Sequence, residues 1–220
     1  RTYEKFMMDA DEHRGVKLMG VWTSPATVIF TNKEEITGLD QLNGLKLRSP
    51  SPLFDNIGKA MGIVTVNAPA SESYEMLSRG VIDGLYFQYD QIENFKLDKL
   101  IKSAVAVPGG FGKSSQFLFM NERKWNAISE ADRAAISKIS GEHIARMFGE
   151  KWNEGEQKAI ANLTEAGLKT YHVEGAELEK LKADLAFIEQ DWIKAAEKKK
   201  IDGQAALDYY RAQIKELSQP

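Results

Sequence analysis

An α/β fold is the class this sequence predicts, on three observations. Short apolar runs alternate with helix-patterned segments between residues 16 and 121, the arrangement that produces βα units and a largely parallel sheet. From Ser129 onward the pattern is almost wholly helical. The composition, 43% hydrophobic and 28% charged over 220 residues, is that of an ordinary globular chain long enough for one large or two small domains.

Residues 2–14 read as the end of a helix, with Phe6, Met7 and Ala10 on one side and Gly15 as its stop. "VKLMGVW" (16–22) and "TVIFTN" (27–32) read as strands joined by a tight, proline-containing connection. "TGLDQLNG" (37–44) is a short helix between Thr37 and Gly44. Leu45, Leu47 and Ser49 alternate with Lys46 and Arg48 as a strand. Ser51 is then a good N-cap and Pro52 a good first residue for a helix over 52–61. A strand at 63–68 follows. A helix over 69–80 comes next, capped by Ser71 and ended by Gly80. Residues 82–88 form a short apolar run, 90–101 a helix, 105–110 a strand running into a loop, and 115–121 a strand. Residues 129–167 read as one helix, far longer than the usual 11–12 residues or so. A strand at 168–173 and helices to the end complete the chain, the last two meeting just before Gly203.

Composition excludes several functions. The formal net charge of −3 offers no basic field for nucleic acid or an anionic membrane. The absence of cysteine excludes disulfides, thiolate metal sites and cysteine nucleophiles. No apolar run is long enough to span a bilayer, so membrane insertion is not expected, and "RTYEKFMMDADEHRG" is too charged for a signal peptide.

The chemical motifs are sparse. His13, His143 and His172 fall on different elements without ligand spacing to a carboxylate, so neither metal nor other cofactor is expected. "GGFGK" (109–113) lacks the ending of a phosphate-binding loop and precedes a strand. "SESYE" has no strand-to-helix elbow around its serines. What stands out is Arg48. A guanidinium ends a strand immediately before a helix N-terminus, where free N–H groups and the positive end of the helix dipole also favour an anion. Trp22, Tyr86, Phe87, Tyr89 and Phe111 lie at loop and strand ends. With Arg48 they would make an apolar cleft with one charged anchor, a pattern of small-molecule sites. No catalytic acid–base pair accompanies it.

"LNGLKLRSP", "NAPASESYEMLSRGVIDG", "ENFKLDKL" and "FLFMNERKWNAISEADR" occur in this order, followed by the long helical stretch. In these phrases the chain resembles the solute-binding (P) subunit of tripartite ATP-independent periplasmic (TRAP) transporters, the DctP type. The resemblance implies a type II-like periplasmic solute-binding fold of two α/β lobes, with a long helix spanning both. It also implies a small organic acid held between the lobes by hinge closure, no enzymatic activity, a periplasmic location and delivery to TRAP membrane permease subunits. An enzyme acting on an organic acid, or a ligand-sensing signalling module, is the alternative.

Residue by residue, the resemblance makes Arg48 the arginine that salt-bridges the ligand carboxylate. It places Phe87 where an asparagine often touches that carboxylate, three residues after Gly84, and Thr27 where sialic-acid-type members carry a second arginine. Both departures point away from polyhydroxylated and dicarboxylate ligands and toward an aromatic or apolar monocarboxylate, lined by Trp22, Thr27, Tyr86, Phe87, Tyr89 and Phe111. The family ordinarily has about a hundred residues before this point, within the usual range for one domain. The expected division is therefore 1–27 with 113–149 as the remainder of an incomplete first lobe, and 28–112 with 150–220 as the second. Strands 16–22 and 115–121 would then show exposed edges and apolar faces.

Overall fold

A computed structural model describes residues 1–10 and 12–217. In chain order the helices are α1 (Thr2–Phe6), α2 (Pro52–Ala60), α3 (Ser73–Ser78), α4 (Tyr89–Asn94), α5 (Glu122–Asn126), α6 (Glu130–Lys138), α7 (Glu142–Glu165), α8 (Gly175–Asp184), α9 (Phe187–Lys198) and α10 (Gly203–Leu217). The strands are β1 (Val16–Thr23), β2 (Val28–Thr31), β3 (Lys46–Ser49), β4 (Val64–Asn67), β5 (Gly84–Phe87), β6 (Ser103–Ala106), β7 (Ser115–Asn121) and β8 (Lys169–His172). They divide between two compact units: 1–22, 115–148 and the chain from Ala186 onward form one, and 23–114 with 149–185 the other.

The second unit holds a six-stranded sheet in the order β4-β3-β5-β2-β6-β8. β3 runs parallel to β4 and β5, and β6 parallel to β8, as the βα alternation predicts. β2 is antiparallel to both its neighbours, β5 and β6, so the sheet is mixed. Antiparallel pairing needs no crossover helix on either side, and so leaves no trace in the strand–helix alternation. All four residues of β2 and all four of β5 are buried, which explains why both read as unbroken apolar runs. One face packs Val28, Phe30, Leu85 and Phe87 against Leu77, Ile92 and Leu97, and against Ala159 and Leu163 of α7. At about 25 cal/mol per Å² of apolar surface removed from water, such a cluster dominates the stability of the unit.

Asp83 fastens the amino ends of β3 and β5 together. Its Oδ2 accepts from the Lys46 amide at 2.9 Å and its Oδ1 from Lys33 Nζ at 3.2 Å. Burial tends to raise this carboxyl, but those donors outweigh it and hold the group below its ordinary range. Gly84 follows because β2 passes so close that a Cβ there would lie 2.1 Å from the Phe30 carbonyl oxygen.

In the first unit, β1 and β7 form a two-stranded sheet. Phe117, Leu118 and Phe119 of β7 are exposed, as expected of strands that among the described residues have only one another for sheet neighbours. Trp22 stacks face to face on Phe148, 4.2 Å between ring centres, and Phe6 meets Tyr209 of α10 at 5.6 Å.

Several expectations need correction. The helix expected over 129–167 is two, because Gly141 takes a left-handed backbone (φ +64) and gives its N–H to the Met19 carbonyl instead of continuing α6. The helix expected over 90–101 stops at Asn94, where Lys96 adopts φ +56. The cap of α3 is Glu72, not Ser71, which lies in a 3₁₀ turn. The helix expected over 2–14 is α1 followed by a 3₁₀ turn at Met8–Ala10, with Asp11 outside the described residues. The chain from Ala186 onward, expected with 28–112, belongs to the first unit. Its helix does not continue from α8, which ends at Asp184, and its side chains meet the earlier part of that unit, as Tyr209 does Phe6 and Lys199 does Glu12.

Candidate functional site

Arg48 sits at the carboxyl end of β3, beside the parallel strands β4 and β5. The carboxyl edge of parallel strands is where ligands bind in open α/β sheets. Its side chain is 6% exposed. Nε donates to the Ala68 carbonyl at 2.8 Å, and one terminal nitrogen reaches the Tyr86 carbonyl at 3.5 Å. The Phe87 ring lies beneath the guanidinium. Burial lowers the Arg48 pKa from its ordinary value, yet no arginine in a protein gives up its proton. Among the described residues no carboxylate forms an ion pair with it. Two neutral carbonyls orient the group without cancelling its charge, and its second terminal nitrogen donates to no described residue. A buried cation in this state is a socket for an anion, and the planar fork fits a carboxylate.

The structure gathers most of the sequence-derived residues around this point. Tyr86 is fully buried, its ring against Phe54 of α2 and edge-on to Phe111. Phe87 packs into the core against Phe95 and serves as the platform of the guanidinium. Thr27 is buried just before β2, giving its N–H to the Gly112 carbonyl and accepting from the Phe111 N–H. Two residues are placed differently. Tyr89, the first residue of α4, turns to Phe30 and lines a cavity of about 810 Å³, whose walls come from α7, the β6 and β8 ends and the residues on either side of Thr27, and do not include Arg48. Trp22 belongs to the first unit, stacked on Phe148.

Two residues of interest were not among the sequence candidates. Gln88, just past β5, is half-buried and donates from Nε2 to the Thr27 hydroxyl at 3.3 Å. The signal for it was a lone amide closing the apolar run "GLYF". Glu156 of α7, 8% exposed, accepts from the Tyr89 and Asp90 amides at the start of α4. Burial pushes this carboxyl up to about 7; the two amides oppose the shift and the Asp90 carboxylate adds to it. Nothing in a lone helical glutamate distinguished it from a solvated face. Among the described residues no cluster of three or more histidines, aspartates or glutamates is placed to hold a metal, and no helix is long and apolar enough to cross a membrane.

The model of the bacterial extracellular solute-binding protein family 7, DctP, matches residues 1–197. The chain belongs to this family. Among curated proteins it is 33% identical over 218 residues to the outer membrane transporter protein TsaT of Comamonas testosteroni, covering 97% of this chain and 63% of that relative's length. Among solved structures it resembles a TRAP periplasmic solute-binding protein from Bordetella bronchiseptica with bound (R)- and (S)-mandelate, with a TM-score of 0.91 and 34% identity over 99% of this chain and 69% of that one. It also resembles a marine metagenome TRAP solute-binding protein specific for aromatic acid ligands, in complex with 3-hydroxybenzoate. That match has a TM-score of 0.82 and 27% identity, over 92% of this chain and 64% of that one. The two-lobe α/β fold expected of the DctP family is thereby shown.

Proposed function

We propose that this DctP-family chain carries the carboxylate anchor of an extracytoplasmic receptor for aromatic monocarboxylates, which it hands unchanged to TRAP permease subunits from the periplasm. The observation that carries the reading is Arg48, a buried guanidinium at a parallel-strand edge with no counter-charge among the described residues. Phe87 lies against the guanidinium, and the Tyr86–Phe111 ring pair adjoins the carbonyl that holds it, an apolar setting that suits an aromatic acid better than a polyol or a dicarboxylate. The mandelate and 3-hydroxybenzoate held by the two similar structures are acids of this class. The receptor reading, in preference to an enzyme, rests on the family's being one of extracellular solute-binding proteins and on the lack, among the described residues, of an acid–base pair beside Arg48.

The test is a thermal-shift screen followed by calorimetry against benzoate, phenylacetate, mandelate, 3-hydroxybenzoate, succinate and a sialic acid, with recovery of the bound acid. A ligand that binds only the folded state raises its melting temperature. An aromatic acid recovered unchanged supports the reading; turnover of the acid, or stabilisation only by the non-aromatic acids, overturns it.

A further inference from the structure

The face of the sheet that carries Tyr86 continues past the end of β5. The antiparallel register pairs Val28 with Phe87, so residues 27 and 88 form the next cross-strand pair, at the sheet edge. Gln88 Nε2 donates to Thr27 Oγ1 at 3.3 Å. Thr27 is fixed from both sides by its 2.9 Å main-chain bonds to Gly112 and Phe111, and its β-branched side chain has little rotameric freedom. The donor and acceptor account of this pair is incomplete. Gln88 Oε1 accepts from no described residue, and the Thr27 hydroxyl, which accepts from Gln88, gives its own hydrogen to none. One acceptor and one donor therefore sit side by side on a rigid strand end.

A ligand hydroxyl is the small group that is both donor and acceptor. The pair adjoins residues that reach the anchor: the main-chain carbonyl of Tyr86, two residues before Gln88, meets Arg48, and Phe111, whose N–H holds Thr27, packs edge-on to Tyr86. We propose that Gln88 and Thr27 form a hydroxyl-reading pair that makes this site select hydroxylated aromatic acids over their unsubstituted counterparts. The inference rests on the aromatic-acid reading above. A bare ring C–H set against the pair would strip water from an amide oxygen and a hydroxyl without replacing it, and sites built around such groups discriminate strongly against ligands that lack the partner.

The experiment is calorimetry of two ligand pairs, benzoate with 3-hydroxybenzoate and phenylacetate with mandelate, on the parent chain, Gln88→Leu, Thr27→Val and Arg48→Ala. The parent is expected to bind the hydroxylated member of at least one pair about tenfold more tightly, the worth of roughly one net hydrogen bond. Gln88→Leu and the isosteric Thr27→Val should each shrink that ratio about tenfold. Circular dichroism on each variant confirms the fold, and Thr27→Ser, which restores a hydroxyl, should restore the ratio. A parent without the preference, or a ratio unchanged in either folded variant while Arg48→Ala weakens every acid, overturns the pair and leaves the aromatic-acid reading standing. A parent that binds none of the four acids overturns both.

Discussion

The guanidinium carbon of Arg48 lies 5.3 Å from the centre of the Phe87 ring. That contact gives a role to Phe87, at the position where the family resemblance leads one to expect an asparagine. The ring gives the cation a flat, weakly negative base while two carbonyls fix its edges, so the charge is held in place without being neutralised.

Replacing Arg48 should therefore remove binding and not merely tune it. Arg48→Ala is expected to cost about 2–5 kcal/mol of affinity for the preferred acid, the range seen when one partner of a buried charge pair is lost. Arg48→Lys should recover only part of that, because an ammonium has no bidentate fork. Calorimetry on the folded variants decides the matter; parent-like affinity in Arg48→Ala would remove the anchor.

Ligand preference follows from what surrounds the anchor. Positions 27 and 87 hold threonine and phenylalanine, so neither offers a cation to a second carboxylate. Aromatic monocarboxylates should bind at least about tenfold more tightly than succinate or a sialic acid, since a buried unpaired charge or polyol loses water without compensation. Competition binding measures this directly, and tighter succinate binding would contradict it.

Glu156 makes stability depend on pH. Its folded pKa of about 7 lies above the ordinary carboxyl value, so between roughly pH 4.3 and 7 the folded chain holds a proton that the unfolded chain has released. Stability from this group is therefore greatest at the acid end of that window, falls as pH rises through it, and is level above it. The loss should amount to about 1–2 kcal/mol once solvent screening is allowed for. Urea titrations of the parent and Glu156→Gln at pH 5 and 8 should show a smaller pH difference in the variant; equal differences would place Glu156 in solvent.

Gly84→Ala should be among the most damaging single changes. A methyl group 2.1 Å from the Phe30 oxygen would force apart β2 and β5, two fully buried strands. A loss of about 3 kcal/mol or more, or failure to accumulate as folded protein, is expected from overpacking against backbone. A melting temperature within a degree of the parent would show that the strands can separate cheaply.

The sequence was most informative where local chemistry and position coincide. Arg48 was legible because a strand ends, a proline-started helix begins, and only one long cation stands between them. Gln88 was not, because its meaning depends on Thr27, sixty-one residues away, through the register of an antiparallel strand that alternation could not reveal. Tyr89 read as part of the aromatic set because periodicity does not fix where β5 ends and α4 begins; as the first helical residue, it lines a cavity whose walls do not include Arg48. Trp22 ends a stretch of the first unit, a division set by packing and not by composition. The fold class survived these errors because burial alone determines the apolar runs, while strand direction and helix breaks turn on single residues such as Gly141.

The division of the chain also constrains the order in which it can become structured during synthesis. The core beneath β2 and β5 takes Ala159 and Leu163 from α7, and the outer edge of the sheet is completed by β8 at Lys169–His172. A ribosome that has released the chain only as far as residue 114 has exposed five of the six strands of this sheet, together with an apolar face that still lacks the part of its cover that α7 supplies. The nascent chain must hold that face in water, or shielded by a chaperone, until some fifty more residues emerge, at roughly 5–20 residues per second. The sequence-distant contacts that give this sheet its rigidity thus open an interval of seconds in which the half-made sheet is a target for aggregation.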